Sequence, residues 1–464
     1  MQEISLKNFK KVNGFNSFNR IMGEKLIEHK EDNMNFNCSV ELECPFCSNS
    51  DFEKAIKTVR NCYIPSPKNG MVKGFFAPGG EYGADWWSLD YSLVVDGAKW
   101  IDFSSAVDLI DNLCAVQCGD GRIKLYGTDG FAHVPNVKEP IASLPRYFDT
   151  CFEIACMSPD KSLREKTLDL FTKSLDWWFA NRQDPKTGLI SAVFEETFIP
   201  NTVSGSMVYA PIDTNIQIAR ACRSTAILAE MCGCDSSFTE FYFKQEKSIL
   251  DAVKDFLWDK ENGCYKPYVL TQNRRYDILS ASTFLGFSVE GKQRHEKLLM
   301  LLKDDSHFNW NTRPLSSVSK KDALFTTVHG RYNGNPAWSG SVWTLHNVAA
   351  IKSLKEAGYR REAVRLCERT ICTFAGNYAE FIDPFTGSGE GVQEYGWTAA
   401  QFLQLVIEFV FGISYSPERG VLSDPVIPEE YSMCDMCLRG LNLPDGRTCS
   451  VRIHSGKAEI KYNS

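Results

Sequence analysis

Carboxylates set among aromatic side chains and turn formers are the chemistry-bearing feature of this chain. In Tyr378-Ala379-Glu380-Phe381-Ile382-Asp383-Pro384-Phe385-Thr386-Gly387, Glu380 stands beside aromatic residues and ahead of Asp-Pro and Thr-Gly turn signals. Gln393-Glu394-Tyr395-Gly396-Trp397-Thr398 follows, just before an apolar helix. A second acidic pair lies in Phe194-Glu195-Glu196-Thr197-Phe198. Adjacent carboxylates amid apolar residues are candidates for a raised pKa, which a general acid working near neutrality requires. The same pair also suits a solvated acidic turn.

Other stretches have the makings of a sugar cleft. Gly74-Phe75-Phe76-Ala77-Pro78-Gly79-Gly80-Glu81-Tyr82-Gly83-Ala84-Asp85-Trp86-Trp87-Ser88-Leu89-Asp90 combines aromatic faces that stack on sugar C–H groups with carboxylates that accept hydroxyl hydrogen bonds. Phe76, Tyr82, Asp85, Trp86, Trp87 and Asp90 are therefore substrate-binding candidates. Equally, the two tryptophans suit a core, with Asp85 capping the next helix. Arg122, in the glycine-punctuated segment 119–127, is placed either at the mouth of a cleft or in a surface turn. That segment is no phosphate loop, because it lacks the Lys-Ser/Thr ending. Asp213, in Ile212-Asp213-Thr214-Asn215, reads as a helix N-cap or a sugar contact. The segment 331–343 offers Trp338 and Trp343 as subsite walls, flanked by His329 and His346, which show no metal-ligand spacing.

These residues need a scaffold, and the apolar periodicity is helical almost throughout. It predicts helices near 52–62, 86–96, 104–117, 144–158, 161–183, 214–233, 236–259, 280–289, 291–304, 340–359, 360–377 and 396–412. Short links alternate with long loops at 63–85, 118–143, 184–213, 260–279, 305–339 and 378–395. Six long connectors leaving one end of six helical hairpins describe an (α/α)6 toroid, and loops that long inside a compact domain are usually functional. A polar leader precedes it at 1–51, the toroid spans 52–412, and short alternating runs at 413–464 form a small β appendage around a hairpin turn at 441–446.

Composition narrows the partners. A net charge of -7 without a basic stripe argues against nucleic acid and anionic membranes, so a neutral small carbohydrate fits better. No apolar run has membrane-spanning length, and residues 1–14 carry no secretory pattern. Seventeen scattered cysteines imply free thiols in a reducing compartment, with the cytoplasm as the expected location. No cofactor is implied. Cys44/Cys47 and Cys434/Cys437 have the form of half-sites for zinc, although the distance between the pairs in sequence fits chance better.

On residues 378–398 above all, the chain resembles the (α/α)6-toroid glycoside hydrolases of the processing α-glucosidase group, glycoside hydrolase family 63. That group includes bacterial mannosylglycerate hydrolase-like relatives, with trehalases as more distant cousins. The resemblance implies that Glu380, ahead of the Asp-Pro-x-Thr-Gly turn, is the general base. The 335–343 segment resembles a degenerate form of the family's Trp-Arg-Gly-Pro-x-Trp segment, and Ser339 in place of its Arg implies the loss of a sugar contact there. The family's acid is an Asp upstream of a Val-Asp-x-Asn helix start. Here Ile212-Asp213-Thr214-Asn215 matches that start, while Glu195 or Glu196, with Glu196 preferred, takes the acid's place. The expectation is an inverting, exo-acting hydrolase of an α-linked glucoside, mannoside or related saccharide, with the two carboxyls about 6.5–9.5 Å apart. The departures also allow a carbohydrate-binding toroid without turnover, a sugar epimerase using His329 or His346, or a phosphorylase, for which no phosphate cradle is visible.

Overall fold

The computed structural model describes residues 40–83, 85–127, 140–193, 195–200, 208–327 and 338–463. Phe194, His329, the segment 331–337 and most of the polar leader lie outside the described residues. The chain is mostly helical and ends in a small antiparallel sheet.

Two kinds of helix alternate. α2 (Ser88–Ala98), α4 (Tyr147–Met157), α6 (Ile212–Met231), a 3-10 segment (Ala281–Ser288), α9 (Thr344–Glu356) and α11 (Gly396–Gln404) are apolar on nearly all sides. Every residue of α2 and of α11 is buried, which marks helices surrounded by others. Interleaved with them are α1 (Asn49–Asn61), α3 (Phe103–Val116), α5 (Lys161–Arg182), α7 (Ser236–Ala252), α8 (Lys292–Leu302) and α10 (Arg360–Phe374). These bury one face and carry charge on the other. Three of them start on side-chain caps: Ser48, in a reciprocal box with Asp51, then Asp102 and Asp160.

The buried helices form a closed ring. α2 packs on α4, α4 on α6, α6 on the 3-10 segment, that segment on α9, α9 on α11, and α11 back on α2. The other six pack outside, α1 against α11, α7 against α6 and α10 against α9 among them. At the last seam α2 and α11 approach so closely that a Cβ on Gly97 would lie 2.2 Å from the carbonyl oxygen of Ala400, so only glycine fits. The links 99–102, 158–160, 232–235, 289–291 and 357–359 are short, and the longer connections gather where the inner helices begin.

The end with the short links is stitched by buried ion pairs. Lys99, 1% exposed, pairs with Glu153 and lies 2.6 Å from Glu408, while Glu153 also meets Lys352 at 3.1 Å. From the start of α4, Arg146 holds Asp96 on α2 at 2.7 Å.

Among the strands that build the terminal sheet and the hairpins next to the ring are β1 (Glu41–Glu43), β2 (Phe381–Ile382), β3 (Gly389–Glu390), β4 (Ile413–Ser416), β5 (Gly420–Ser423), β6 (Met436–Asn442), β7 (Thr448–His454) and β8 (Lys457–Asn463). β1, β6, β7 and β8 form one antiparallel sheet in that order, with Leu42 opposite Leu438. Thus part of the expected leader belongs to the terminal sheet, and α1 begins at Asn49 rather than near 52. The helices expected over 236–259 and 396–412 end early as α-helices, because each loosens into a π-helical stretch, Val253–Leu257 and Leu405–Val410.

Candidate active site

Glu380 sits at the root of the β2–β3 hairpin. Its amide donates to the Val392 carbonyl at 2.8 Å, and β2 pairs Phe381 with Glu390. The tip is built by Asp383, whose Oδ1 accepts from the amides of Phe385 and Thr386 at 2.9 and 2.7 Å and from the Thr386 hydroxyl at 3.0 Å. This turn chemistry is why Asp-Pro-x-Thr-Gly holds the hairpin open just past Glu380. Val342 and Ile382 exchange backbone hydrogen bonds at 2.9 and 3.0 Å, so the loop leading into α9 is fastened to the same hairpin.

Glu380 is 7% exposed. Its Oε1 accepts from the Tyr82 hydroxyl at 3.0 Å and its Oε2 from the Val392 amide at 3.0 Å. Gly391 allows this: its φ is +72°, and a Cβ there would lie 2.6 Å from Oε2.

Beside it, Asp90 in the first turn of α2 accepts the Tyr395 hydroxyl. Burial lifts the Asp90 pKa to about 7, and the negative charges of Glu380 and Glu195 push the same way, against the Tyr395 hydrogen bond. Asp90 therefore feels a carboxylate from the hairpin and one from the loop ahead of α6. Tyr82 and Tyr395 bridge Glu380 and Asp90, which come from distant parts of the chain.

The acidic pair splits. Glu196 is fully buried and takes the Arg182 guanidinium through both oxygens, at 2.8 and 2.9 Å, plus the amides of Ala142 at 2.8 Å and Val193 at 3.1 Å. Glu195, half-buried, has φ +60°, a left-handed conformation unusual for this residue type. That twist turns two neighbours in different directions.

The start of α6 secures this loop. Asp213, 0% exposed, accepts from Thr197 Oγ1 at 2.8 Å and from the Phe198 amide, and the Thr214 hydroxyl donates to the Glu196 carbonyl at 2.8 Å. Asn215 clasps Ile190 through both its amide and its carbonyl, each at 2.8 Å. Asp213 is thus a loop clamp and not an N-cap; Pro211 holds the cap position without a side-chain bond.

An aromatic belt joins the loops. Trp87 lies 4.8 Å from Tyr126 and 6.2 Å from Tyr82; Tyr82 lies 5.9 Å from Tyr395, and Tyr395 5.0 Å from Trp397. Trp397 meets Trp343 at 5.5 Å, Trp343 stacks on Trp338 at 4.3 Å, and Trp338 reaches His346 at 5.7 Å. His346 packs on Phe198 at 5.5 Å, and burial lowers its pKa to about 4, which keeps it neutral. Asp85, half-buried, accepts from the Tyr126 hydroxyl at 2.7 Å and does not cap α2, whose N-cap is Trp87.

Several expected contacts go elsewhere. Phe76 and Trp86 are buried in the core at 1% and 0% exposure, because the 75–76 strand and the start of α2 turn them inward. Arg122 is buried rather than at a mouth, its guanidinium donating to the Ile141 carbonyl at 2.7 Å. Glu394 is exposed with φ +52°, in the bend that delivers Tyr395. Tyr395, the partner of Asp90, and Arg182, the partner of Glu196, were not singled out from sequence; Tyr395 lies inside the 393–398 motif, whereas nothing local marks Arg182. Among the described residues no three His, Cys, Asp or Glu groups assemble as a metal site, so the two Cys-x-x-Cys pairs do not combine into one. An open cleft bordered by Lys254, Trp258, Lys266 and Arg294 shares no residue with these carboxylates. No described helix is long and apolar enough to cross a membrane.

Residues 200–398 match the mannosylglycerate hydrolase MGH1-like glycoside hydrolase domain. The chain resembles these enzymes. A mannosylglycerate hydrolase of Rubrobacter radiotolerans is 32% identical over 200 residues, which are 42% of this chain and 43% of that protein. The chain thus spans less than half the length of that relative. In fold it is similar to the GH63 mannosylglycerate hydrolase of Thermus thermophilus in complex with Tris and D-glycerate, with a TM-score of 0.62 at 18% identity over 77% of this chain and 100% of that one. The neutral trehalase of Saccharomyces cerevisiae gives a TM-score of 0.55 at 15% identity over 73% of each chain. The segment similar to mannosylglycerate hydrolases contains Asp213, Trp338, Trp343, Glu380, Glu394 and Trp397, while Asp90, Glu195 and Glu196 precede it.

Proposed function

We propose that the closed ring is an (α/α)6 toroid and that the protein is an inverting, exo-acting glycoside hydrolase of an α-linked mannoside, glucoside or related small saccharide. The observation that carries this reading is the link between two buried carboxylates beside an aromatic belt: Tyr82 donates to Glu380 at 3.0 Å and lies 5.9 Å from Tyr395, whose hydroxyl donates to Asp90.

In this reading Glu380 is the general base. Its carboxylate takes a proton from water as the water attacks the anomeric carbon, and Tyr82 and the Val392 amide hold its orientation. Glu195 is the general acid and protonates the departing glycosidic oxygen. Glu196 is less suited to that role, because Arg182 and two amides already engage both of its oxygens in the protein interior. It is instead a positioning residue whose anchorage fixes the twist at Glu195. Asp90 and Tyr395 suit sugar hydroxyls, and the half-buried Trp87 and Trp338, 6% exposed, suit its apolar faces, while Trp343 and Trp397, 1% and 2% exposed, back them from the core. The abundance of cysteine supports a reducing, cytoplasmic setting.

The test is a released-sugar screen over mannosylglycerate, α-mannosides, α-glucosides and trehalose, with NMR of the first-formed anomer. An inverted anomer is expected. Glu380→Gln and Glu195→Gln are each expected to lower kcat at least 10³-fold, on the order of the contribution of a positioned acid or base, while sugar still raises the melting temperature. Unchanged turnover in Glu380→Gln removes it as the base. Sugar binding without release in the wild type replaces the hydrolase by a binding protein.

A further inference from the structure

The Cys44-Pro45-Phe46-Cys47 turn joins β1 to α1, far in sequence from the carboxylates. Pro45 and Phe46 occupy its corners, which brings Cys44 and Cys47 to the two ends of one tight turn. Ends of such a turn lie within about 7 Å, Cα to Cα, close to the span of a disulfide.

The turn is firmly held. The Phe46 ring meets Tyr431 edge-on at 5.0 Å, and the Phe46 carbonyl accepts from the Cys372 thiol at 3.6 Å. On the other side, Ser48 and Asp51 close the capping box of α1. The Cys47 thiol and the backbone of the turn lower the Cys44 pKa, whereas the neighbouring Cys44 and burial raise that of Cys47, the more buried of the two. Cys44 is half-buried, so a small reagent can reach it.

We propose that Cys44 and Cys47 are a redox-active dithiol, with Cys44 the attacking sulfur and Cys47 the resolving one, and that their oxidant is a low-molecular-weight disulfide. The Cys44 thiolate attacks one sulfur of the reagent; a mixed disulfide forms and one thiolate leaves. Cys47 gives its proton to that thiolate and attacks the Cys44 sulfur, expelling the second thiolate, which takes up the proton that Cys44 had already released to solvent. Two protein thiols and one small disulfide become one protein disulfide and two small thiols. The bond closes across a turn already in place, so it fastens β1 to α1 without moving either.

The test uses the full chain with all 17 cysteines, equilibrated over a series of reduced-to-oxidised glutathione ratios, quenched in acid, alkylated and mapped by mass spectrometry. The Cys44–Cys47 peptide is expected to escape alkylation and lose two hydrogens at ratios where Cys367, Cys372 and Cys434 are still alkylated, and to recover in excess reduced glutathione. Cys47→Ser is expected to trap one glutathione on Cys44, whereas Cys44→Ser leaves Cys47 unmodified. A bond from Cys44 to Cys372, or alkylation of Cys44 and Cys47 persisting after other thiols have oxidised, overturns the proposal. Mapping the wild type decides this even if a variant does not fold.

Discussion

At the scale of single residues, Asp90 gives the pH behaviour its sign. Its folded pKa of about 7 exceeds the ordinary carboxyl value near 4, so between those values the folded state keeps a proton that the unfolded chain has lost. Its contribution to stability falls as pH rises through that window. Asp90→Asn can still accept from Tyr395 but cannot ionise. Relative to wild type it is expected to gain stability from pH 4 to pH 8, by on the order of 3–4 kcal/mol at most, while sugar affinity drops. Chemical denaturation at both pH values reads the gain, and an unchanged gap rejects it. Residues of this kind were unevenly legible in sequence. Glu380 stood out because the Asp383 turn is a local motif with a local cause. Glu195 and Glu196 were inseparable, because what divides them is one left-handed φ and a partner, Arg182, at the end of another helix.

At the scale of elements, inner helices begin where the chemistry is. Trp87, Trp343 and Tyr395 occupy the N-caps of α2, α9 and α11, none with a side-chain cap bond, whereas Ser48, Asp102 and Asp160 cap outer helices. A second device recurs on the inner ring. Asn347 on α9 grips Leu315 through its amide at 2.8 Å and its carbonyl at 3.1 Å, as Asn215 on α6 grips Ile190. Asn215→Ala leaves two buried backbone groups of Ile190 unpaired, and a loss of about 3 kcal/mol is expected, read from the denaturation midpoint, with turnover falling as the Glu195 loop loosens. A loss under about 0.5 kcal/mol contradicts the clamp. The alternation of short and long connections made the helical order readable. Ends were less so: α9 starts at Thr344 rather than 340, because Val342 pairs with Ile382, a contact between distant segments.

At the scale of the whole molecule, one apolar core runs from Leu42 and Val451 in the sheet to the inner helices. Leu42, 4% exposed, sits where β1 meets β6. Leu42→Ala is expected to cost roughly 2–4 kcal/mol and to lower a single melting transition seen alike by circular dichroism and fluorescence. Two separated transitions would mean that sheet and helices fold apart. The sheet's last strands were legible from their alternation, but its first strand was hidden in a stretch that looks like a polar tail. The molecule also carries its own optical probe. Trp338 and Trp343 stack at 4.3 Å with planes 20° apart, and Trp397 lies 5.5 Å from Trp343. Indoles at that separation share their excitation, so their near-ultraviolet dichroism reports the geometry of the belt. A saccharide seated against it is expected to change both that signal and the emission yield, allowing occupancy to be followed by light alone, even in a variant with no turnover.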